Sequence, residues 1–499
     1  MLHSERRGDD KVIIELSFEK GNDVKISVEI LIGVILFILI LAAFLIWMQA
    51  RLQIITPEEA FAAGDYQTAA TLLRGRSDLN PEEQKLLHLA RARIASQHGR
   101  LWDSIGQIHE LDLKQDPKLQ AEFDAYAKEF LEISLADGDA AALQNLADRY
   151  PETLEMISAS VREKCEAYDF AAIAAARSIT DLNPGSPLSA AVTEILKEIV
   201  YQFPASSDGA LFYTDEVEPN VQGLCTDREN YVFIACREGG NTAEHDAMPT
   251  TLRKIDRNGV LIASNGDACY CHANGMTYCS ADGKLYIATL GRDVNVADPE
   301  NLTDPQNENV IAVVNGETLA LERYITLHDQ ICTLGEVYRN RKLQNMRISA
   351  VHYDSFADQF ICLIGPHYLE PEQKQVCRGF AFFDREWKLQ KFVRFFDVQA
   401  PIHAGSITTD AQKIYLSINV SGMQKQVFVF DRLCNYLGTW KLNALVKREF
   451  ECLDFIGTTL YVSVNTRPVS IETFEIGEMQ TVSLWDAFEN GQRIGTSNP

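Results

Sequence analysis

The stretch AGSITTDAQKIYLSI, from Ala404 to Ile418, shows the pattern that decides the fold of the larger part of the chain. A small, polar start leads into a short strand, a turn with Asp410 follows, and the second strand is rich in Ile, Tyr and Leu. Such alternation between turn residues indicates paired strands. Four further segments follow the same plan: QGLCTDRENYVFIA (222–235), NGMTYCSADGKLYIA (274–288), SAVHYDSFADQFICL (349–363) and ECLDFIGTTLYVSV (451–464).

A second pair of strands follows in most of these units, as in LRKIDRNGVLIA (252–263) and VFVFDRLCNYLGTW (427–440). Four strands repeated about every 50 residues are typical of a β-propeller. Residues 211–484 therefore resemble the β-propeller superfamily, which implies about five blades, with residues near 470–484 completing the last. The longer interval from 274 to 349 leaves room for a sixth. A β-sandwich is the alternative, but it is not expected to repeat four strands so regularly.

Residues 57–203 show a second repeat, marked by a proline every 33 to 36 residues. A period near 34 is typical of stacked helical hairpins, and we expect each proline to end a helix and turn the chain. Between the prolines, a small residue and an aromatic mark a turn, and apolar residues follow at helical spacing. The prolines are Pro81, Pro117, Pro151 and Pro184, and the turn motifs are Gly64-Asp65-Tyr66, Gly99-Arg100-Leu101-Trp102, Gly138-Asp139 and Tyr168-Asp169-Phe170.

These Gly-x-Tyr, alanine and proline positions resemble the tetratricopeptide repeat family, although the third unit has no aromatic. The resemblance implies an α-solenoid whose groove binds peptides or partner proteins. The alternative is a helical spacer that holds the next domain away from a membrane. Residues 204–210, PASSDGA, predict a short linker to the propeller.

Near the N-terminus, residues 30–48 read ILIGVILFILILAAFLIWM without a charged residue. Nineteen helical residues span about 30 Å, the thickness of a bilayer core. The long, mixed-charge start and the absence of an A-x-A site argue against a cleaved signal peptide. The sequence therefore predicts a single transmembrane helix that binds the lipid bilayer. The tail before it, 1–29, predicts a small hairpin around Gly21-Asn22-Asp23, and 485–499 form a C-terminal tail.

Five Lys and Arg residues precede this segment within the first 28 residues, whereas only Arg51 follows closely. This bias predicts a cytoplasmic N-terminus and extracytoplasmic C-terminal domains in a cell-membrane protein. Eleven cysteines complicate the prediction, because an oxidising compartment favours disulfides. Cysteines inside strands are also common as small buried apolar residues, which leaves both explanations open.

The formal net charge of −24 argues against a nucleic-acid partner. No Walker loop, dinucleotide-binding loop, G-x-S-x-G or H-E-x-x-H motif is present. Cys269-Tyr270-Cys271-His272 lacks zinc-knuckle spacing, and the Asp293–Asp298 stretch lacks the Gly and Glu of a calcium loop. We therefore predict no catalytic residue, no metal and no cofactor.

Residues just before or at the start of each innermost strand are expected to meet at one mouth of the propeller channel. Their amides, imidazoles, guanidinium and carboxylate could bind a polar ligand, or could simply cap the strands. A hydrolase would need paired acids, and Glu451 is the only acid at a matched position, with Asp454 near it in the sequence and Asp267 near His272. The candidate ligand-binding residues are Gln222, His272, Asn274, Arg347, Ser349, His403 and Glu451.

Two repeat modules on one anchor favour a membrane-anchored scaffold that binds protein partners, rather than an enzyme. The alternative is a propeller-type sensor or hydrolase with a small molecule or glycan at the channel mouth. A third interpretation is structural, with the helices displaying the propeller at a fixed height.

Overall fold

The computed structural model describes residues 2–7, 11–16, 24–51, 55–215, 221–237, 250–268, 270, 273, 275–289, 309–337, 346–366, 378–395, 402–420, 425–445, 450–464 and 469–493. The chain divides into two compact units, Met1–Ile133 and Ser134–Pro499, and the division falls within one helix of the repeat region.

The first unit begins with an antiparallel sheet of β1 (Leu2–Arg7), β2 (Lys11–Leu16) and β3 (Val24–Ser27). Strands β2 and β3 pair antiparallel, with Ile14 opposite Ile26, whereas the turn predicted around Gly21 lies outside the described residues. Helix α1 (Val28–Arg51) follows.

The described side chains of α1 are those of residues 32–44, and all of them are exposed. Within the part of the chain described in this way, no helix combines the length and apolar character needed to cross a bilayer. The transmembrane helix predicted over residues 30–48 is therefore not confirmed.

The rest of the first unit is helical, and its prolines begin helices rather than end them. Pro81 and Pro117 are the first residues of α4 and α6, where the missing N–H would have had no helical partner. Asn80 and Glu83 complete a capping box before α4. This corrects the predicted role of the prolines. The helices are α2 (Pro57–Ala62), α3 (Tyr66–Leu73), α4 (Pro81–Gln97), α5 (Leu101–His109) and α6 (Pro117–Ala136).

The second unit continues with α7 (Ala140–Arg149), α8 (Leu154–Glu166), α9 (Phe170–Leu182) and α10 (Pro187–Glu198). The turn motifs found in the sequence lie between paired helices in both units. Gly64, Gly99 and Gly138 take φ values of 79°, 69° and 70°, a region that glycine enters at little cost.

Five four-stranded antiparallel arrangements follow, which we number as blades 1 to 5. Three of them are separate sheets. Blade 1 has β6 (Val221–Thr226), β7 (Tyr231–Arg237), β8 (Thr250–Asp256) and β9 (Leu261–Ala268), and blade 2 has β10 (Met276–Cys279), β11 (Lys284–Ala288), β12 (Val310–Asn315) and β13 (Leu321–Thr326). Blade 3 has β14 (Met346–Asp354), β15 (Gln359–Pro366), β16 (Arg378–Phe383) and β17 (Leu389–Phe395).

Blades 4 and 5 share one eight-stranded sheet, because strand β5 (Ser206–Asp215) joins them. Its first residues pair in parallel with β21, and its later residues pair antiparallel with β24. Blade 4 has β18 (Ile402–Thr409), β19 (Lys413–Val420), β20 (Gln426–Asp431) and β21 (Tyr436–Asn443), and blade 5 has β22 (Phe450–Ile456), β23 (Thr459–Val464), β24 (Val469–Phe474) and β5.

This closure corrects two predictions. Residues 204–210 are not a linker, because they end β4 (Val200–Pro204) and begin β5. Residues 479–483 do not complete the last blade, since β25 (Met479–Ser483) pairs with β4 instead. Neither a short turn-rich segment nor a run of polar residues reveals a partner more than 200 residues away in the chain.

The apolar core lies mainly between neighbouring blades. Phe233 and Leu285 pack between blades 1 and 2, and Phe360 and Tyr286 between blades 2 and 3. Helix α11 (His328–Val337) adds buried Ile331 to the latter cluster. The long interval 274–349, which left room for a sixth blade, contains this helix instead. No sixth sheet of the propeller occurs in the described residues. Helix α12 (Leu484–Arg493) ends the described chain.

Candidate functional site

The innermost strands β6, β10, β14, β18 and β22 are neighbours in cyclic order and surround the central channel. Adjacent strands run in opposite directions and each blade has four of them, so all five innermost strands begin at the same end of the channel. The long connections 238–249, 289–309, 327–345 and 367–377 also leave from that end, which we call the long-connection face. At the opposite end, the short-turn face, connections such as 227–230 and 457–458 are tight.

The structure brings four predicted site residues to the long-connection face at equivalent places. Gln222, Arg347, His403 and Glu451 are each the second residue of an innermost strand. Gln222, Arg347 and Glu451 are buried, with 5%, 7% and 7% of their surface exposed. The side chain of His403, together with His272 and Asn274, lies outside the described residues.

Several of the predicted site residues lie at bulges of the innermost strands, where a residue has no partner directly opposite it on the neighbouring strand. The pairing register shifts between Val221 and Gly223, so Gln222 is the extra residue of β6. A similar shift isolates Ser349 in β14, and in β22 it places Glu451 and Cys452 opposite the single residue Ser463. Bulges are frequent beside functional sites because they redirect a side chain.

A serine on the neighbouring strand supports the bulge of β22 and a similar bulge of β18, where the pairing register shifts between Ala404 and Ile407. The hydroxyl of Ser417 accepts a hydrogen bond from the backbone N–H of Ser406 at 2.8 Å, and Ser463 does the same for Cys452 at 3.0 Å. Both serines follow a tyrosine by two residues, as Tyr415-Leu416-Ser417 and Tyr461-Val462-Ser463. This repeated spacing was a readable sequence signal for the bulges.

At the short-turn face, the structure shows a polar cluster that sequence reasoning missed. The Arg228 guanidinium donates from Nη2 to Thr408 Oγ1 at 2.7 Å and from Nη1 to the carbonyl oxygen of Thr409 at 2.8 Å. Its Nη2 also lies 3.0 Å from Asp454 Oδ1 and 3.3 Å from His352 Nε2. We call Arg228, His352, Thr408, Thr409 and Asp454 the arginine cluster. It connects blades 1, 3, 4 and 5.

Asp454 is held as a carboxylate by this cluster. Its Oδ2 accepts from the backbone N–H of Thr226 at 2.9 Å, and its Oδ1 accepts from Thr408 Oγ1 at 2.6 Å. Burial opposes ionisation, but the charge of Arg228 and these hydrogen bonds outweigh it, so the pKa of Asp454 lies below its ordinary value. Asp454 is therefore committed to the arginine cluster, at the opposite end of β22 from Glu451. The two do not form the acid pair that a hydrolase would require.

His352 is the second titratable member of the arginine cluster. Burial, followed by the nearby positive charge of Arg228, lowers its pKa to about 4. The imidazole is consequently neutral near pH 7. Its Nε2 also lies 3.0 Å from the Thr409 hydroxyl, which in turn contacts Asp354. Asp354 is completely buried and is paired with Arg432.

The arginine cluster was missed because its members lie at the far ends of the innermost strands, where we expected only turns. A sequence signal was present, since polar residues close three of these strands, as Thr226-Asp227, Asp354 and Thr409-Asp410. Which of them point into the channel depends on the register of each strand. The register is set by the bulges.

Free thiols are present at Cys165, Cys225, Cys279, Cys362, Cys434 and Cys452. Burial raises the pKa of Cys165 and Cys452 to about 12 and that of Cys279 to about 11, so all three are protonated and poorly nucleophilic near pH 7. Cys269, Cys271 and His272 lie outside the described residues. Over the residues that are described, no group of acidic, histidine and cysteine side chains could hold a metal ion.

No protein-family model and no curated protein matches the chain. Among solved structures, the chain is similar to the WD40 domain of Neurospora crassa Pan2, with 8% identity, 56% of this chain and 98% of that chain covered, and a TM-score of 0.27. A Trypanosoma rangeli sialidase gives 10% identity, coverage of 52% and 54%, and a TM-score of 0.32. The propeller domain of a Pyrococcus furiosus protease, described as having an open velcro topology, gives 10% identity, coverage of 53% and 85%, and a TM-score of 0.26.

The strand order of the chain itself carries the assignment. Five blades surround one channel, and β5 supplies the outer strand of the last blade from the N-terminal side. The chain therefore combines an N-terminal helical region with a β-propeller.

Proposed function

We propose that this protein is a membrane-anchored scaffold that binds protein partners on the long-connection face of its propeller. The observation that carries the proposal is the asymmetry of the two faces. Connections at one end are long and varied, whereas those at the other end are tight turns closed by a satisfied polar cluster. Binding residues are commonly placed on loops that a rigid scaffold positions.

The charge of two long connections indicates the chemistry of the partner. Acidic residues outnumber basic ones in 238–249 and in 289–308, where Arg292 is the sole base. A partner with a basic surface would be attracted to these two connections, and its association should weaken as salt screens the charges.

The experiment replaces 289–308 with a Gly-Ser segment of equal length in the full chain. Partners recovered by crosslinking and affinity purification are then compared with those of the unaltered chain. A matched control replaces the turn 257–260, whose residues are exposed or half-buried and which lies at the opposite face of the propeller. Loss of a specific basic partner from the first variant alone supports the proposal. Identical recovery from both variants contradicts it.

The membrane anchor is the second part of the proposal. Its support is that residues 30–48 contain no charge and lie within helix α1, whose 24 residues would measure about 36 Å. The basic residues before the helix favour a cytoplasmic N-terminus and extracytoplasmic C-terminal domains. Protease accessibility of the propeller in intact cells tests this orientation. Protection in intact cells, with digestion after permeabilisation, would reverse the proposed orientation.

A second candidate function is a sensor for a polar small molecule or glycan at the channel mouth. It is favoured by the bulges that set apart Gln222, Ser349 and Glu451 at one face, and by Gln222 Oε1, which is buried without a hydrogen-bond partner in the described structure. Saturable stabilisation of the full chain by a member of a sugar and amino-acid panel, lost in Glu451→Gln, would support it. No response across the panel would count against it.

A further inference from the structure

The arginine cluster has the composition of a receptor for a guanidinium group. Its acceptors are a carboxylate, a hydroxyl and a carbonyl, supplied by Asp454, Thr408 and Thr409, and the His352 ring lies beside them. All four residues are at least nine-tenths buried. The guanidinium carbon of Arg228 also lies 6.0 Å from the centre of the Phe455 ring, within the range of a cation–π contact.

Arg228 itself differs from these residues in two ways. Its side chain retains 28% exposure, so the group that fills the receptor is also the one solvent can reach. Its backbone has a φ of 70°, in the left-handed region that a residue with a side chain enters at a cost. A strained residue persists only where surrounding contacts hold it, and such strain is common at binding sites.

We propose that the short-turn end of the channel is an arginine-recognition site, and that Arg228 occupies it as a resident ligand. The ligand class is a guanidinium group carried on a short aliphatic chain, which Arg228 supplies in the unaltered chain. A guanidinium fits this set because its N–H donors are spread over a plane and can reach acceptors on two neighbouring strands together. An ammonium group offers three donors from one point and would satisfy fewer of them.

The test empties the site and offers a substitute. Arg228→Gly removes the side chain while tolerating the backbone conformation, and the full chain in detergent is titrated with N-ethylguanidinium at millimolar concentration. Its melting temperature is followed by tryptophan fluorescence. We expect the variant to melt below the unaltered chain and to recover by a few degrees, saturably, with N-ethylguanidinium. Ethylammonium is the matched control and should give little recovery.

Two further variants separate the site from general effects. The unaltered chain should not respond, because Arg228 fills the site, and Arg228→Gly with Asp454→Asn should not recover. Equal recovery by both cations, or none by either, would overturn the proposal. If Arg228→Gly does not fold alone, the same comparison is made during refolding. The folded yield must then depend on N-ethylguanidinium and not on ethylammonium.

Discussion

Replacing Asp454 with alanine tests how much the arginine cluster contributes to the stability of the propeller. The substitution removes the carboxylate that faces Arg228 and leaves the Thr226 N–H and the Thr408 hydroxyl without their acceptor. Removing one partner of a buried ion pair typically costs about 3–5 kcal/mol. Because Arg228 is partly exposed, water can solvate its guanidinium, and we expect the lower end, about 3 kcal/mol.

Urea unfolding of the full chain in detergent, followed by tryptophan fluorescence, measures this loss. Glu229→Gln is the matched control, since Glu229 is exposed in the same turn as Arg228 and should change stability by less than about 0.5 kcal/mol. A double-mutant cycle with Arg228→Ala isolates the pair. We expect a coupling on the order of 1–3 kcal/mol. A loss below about 1 kcal/mol, or additive single and double variants, would refute this account of the cluster.

Three further predictions concern pH, ring closure and the membrane. The pKa of His352 falls from 6.5 to about 4 on folding, so the stability that its neutral form contributes is complete above pH 6.5 and is lost as the pH falls towards 4, by about 3 kcal/mol. His352→Gln should flatten this acid-side dependence of the free energy of unfolding on pH, measured by urea unfolding at several pH values. An unchanged dependence would show that another group causes the loss. Ser207→Ala removes the acceptor for the buried Trp440 Nε1–H at 3.1 Å and should cost about 1–3 kcal/mol by urea unfolding, whereas no loss would show that β5 does not depend on this bond. Finally, the full chain should resist extraction by alkaline carbonate and Leu39→Arg should weaken that resistance, whereas release of the unaltered chain would contradict the anchor.

The blades could be predicted from the sequence because each of them is local. Paired strands such as Lys413–Val420 and Gln426–Asp431 are adjacent in the chain and are short runs rich in β-branched and aromatic residues, so composition and the turn residues between them suffice to find them. The helical turns were predictable for the same reason, since Gly64 and Asp65 act on residues within one turn of themselves.

Only the tertiary structure decided how the ring closes and which side chains meet in the channel. Strand β5 pairs with β24 across more than 250 residues, and Arg228 reaches Asp454 over a similar separation. Such pairings depend on strand register and on the curvature of the whole ring, which no local pattern encodes. The sequence by itself determined that four-stranded units repeat, because hydrophobic periodicity is a property of neighbouring residues. The chemistry of the channel was decided by contacts between residues far apart in the chain.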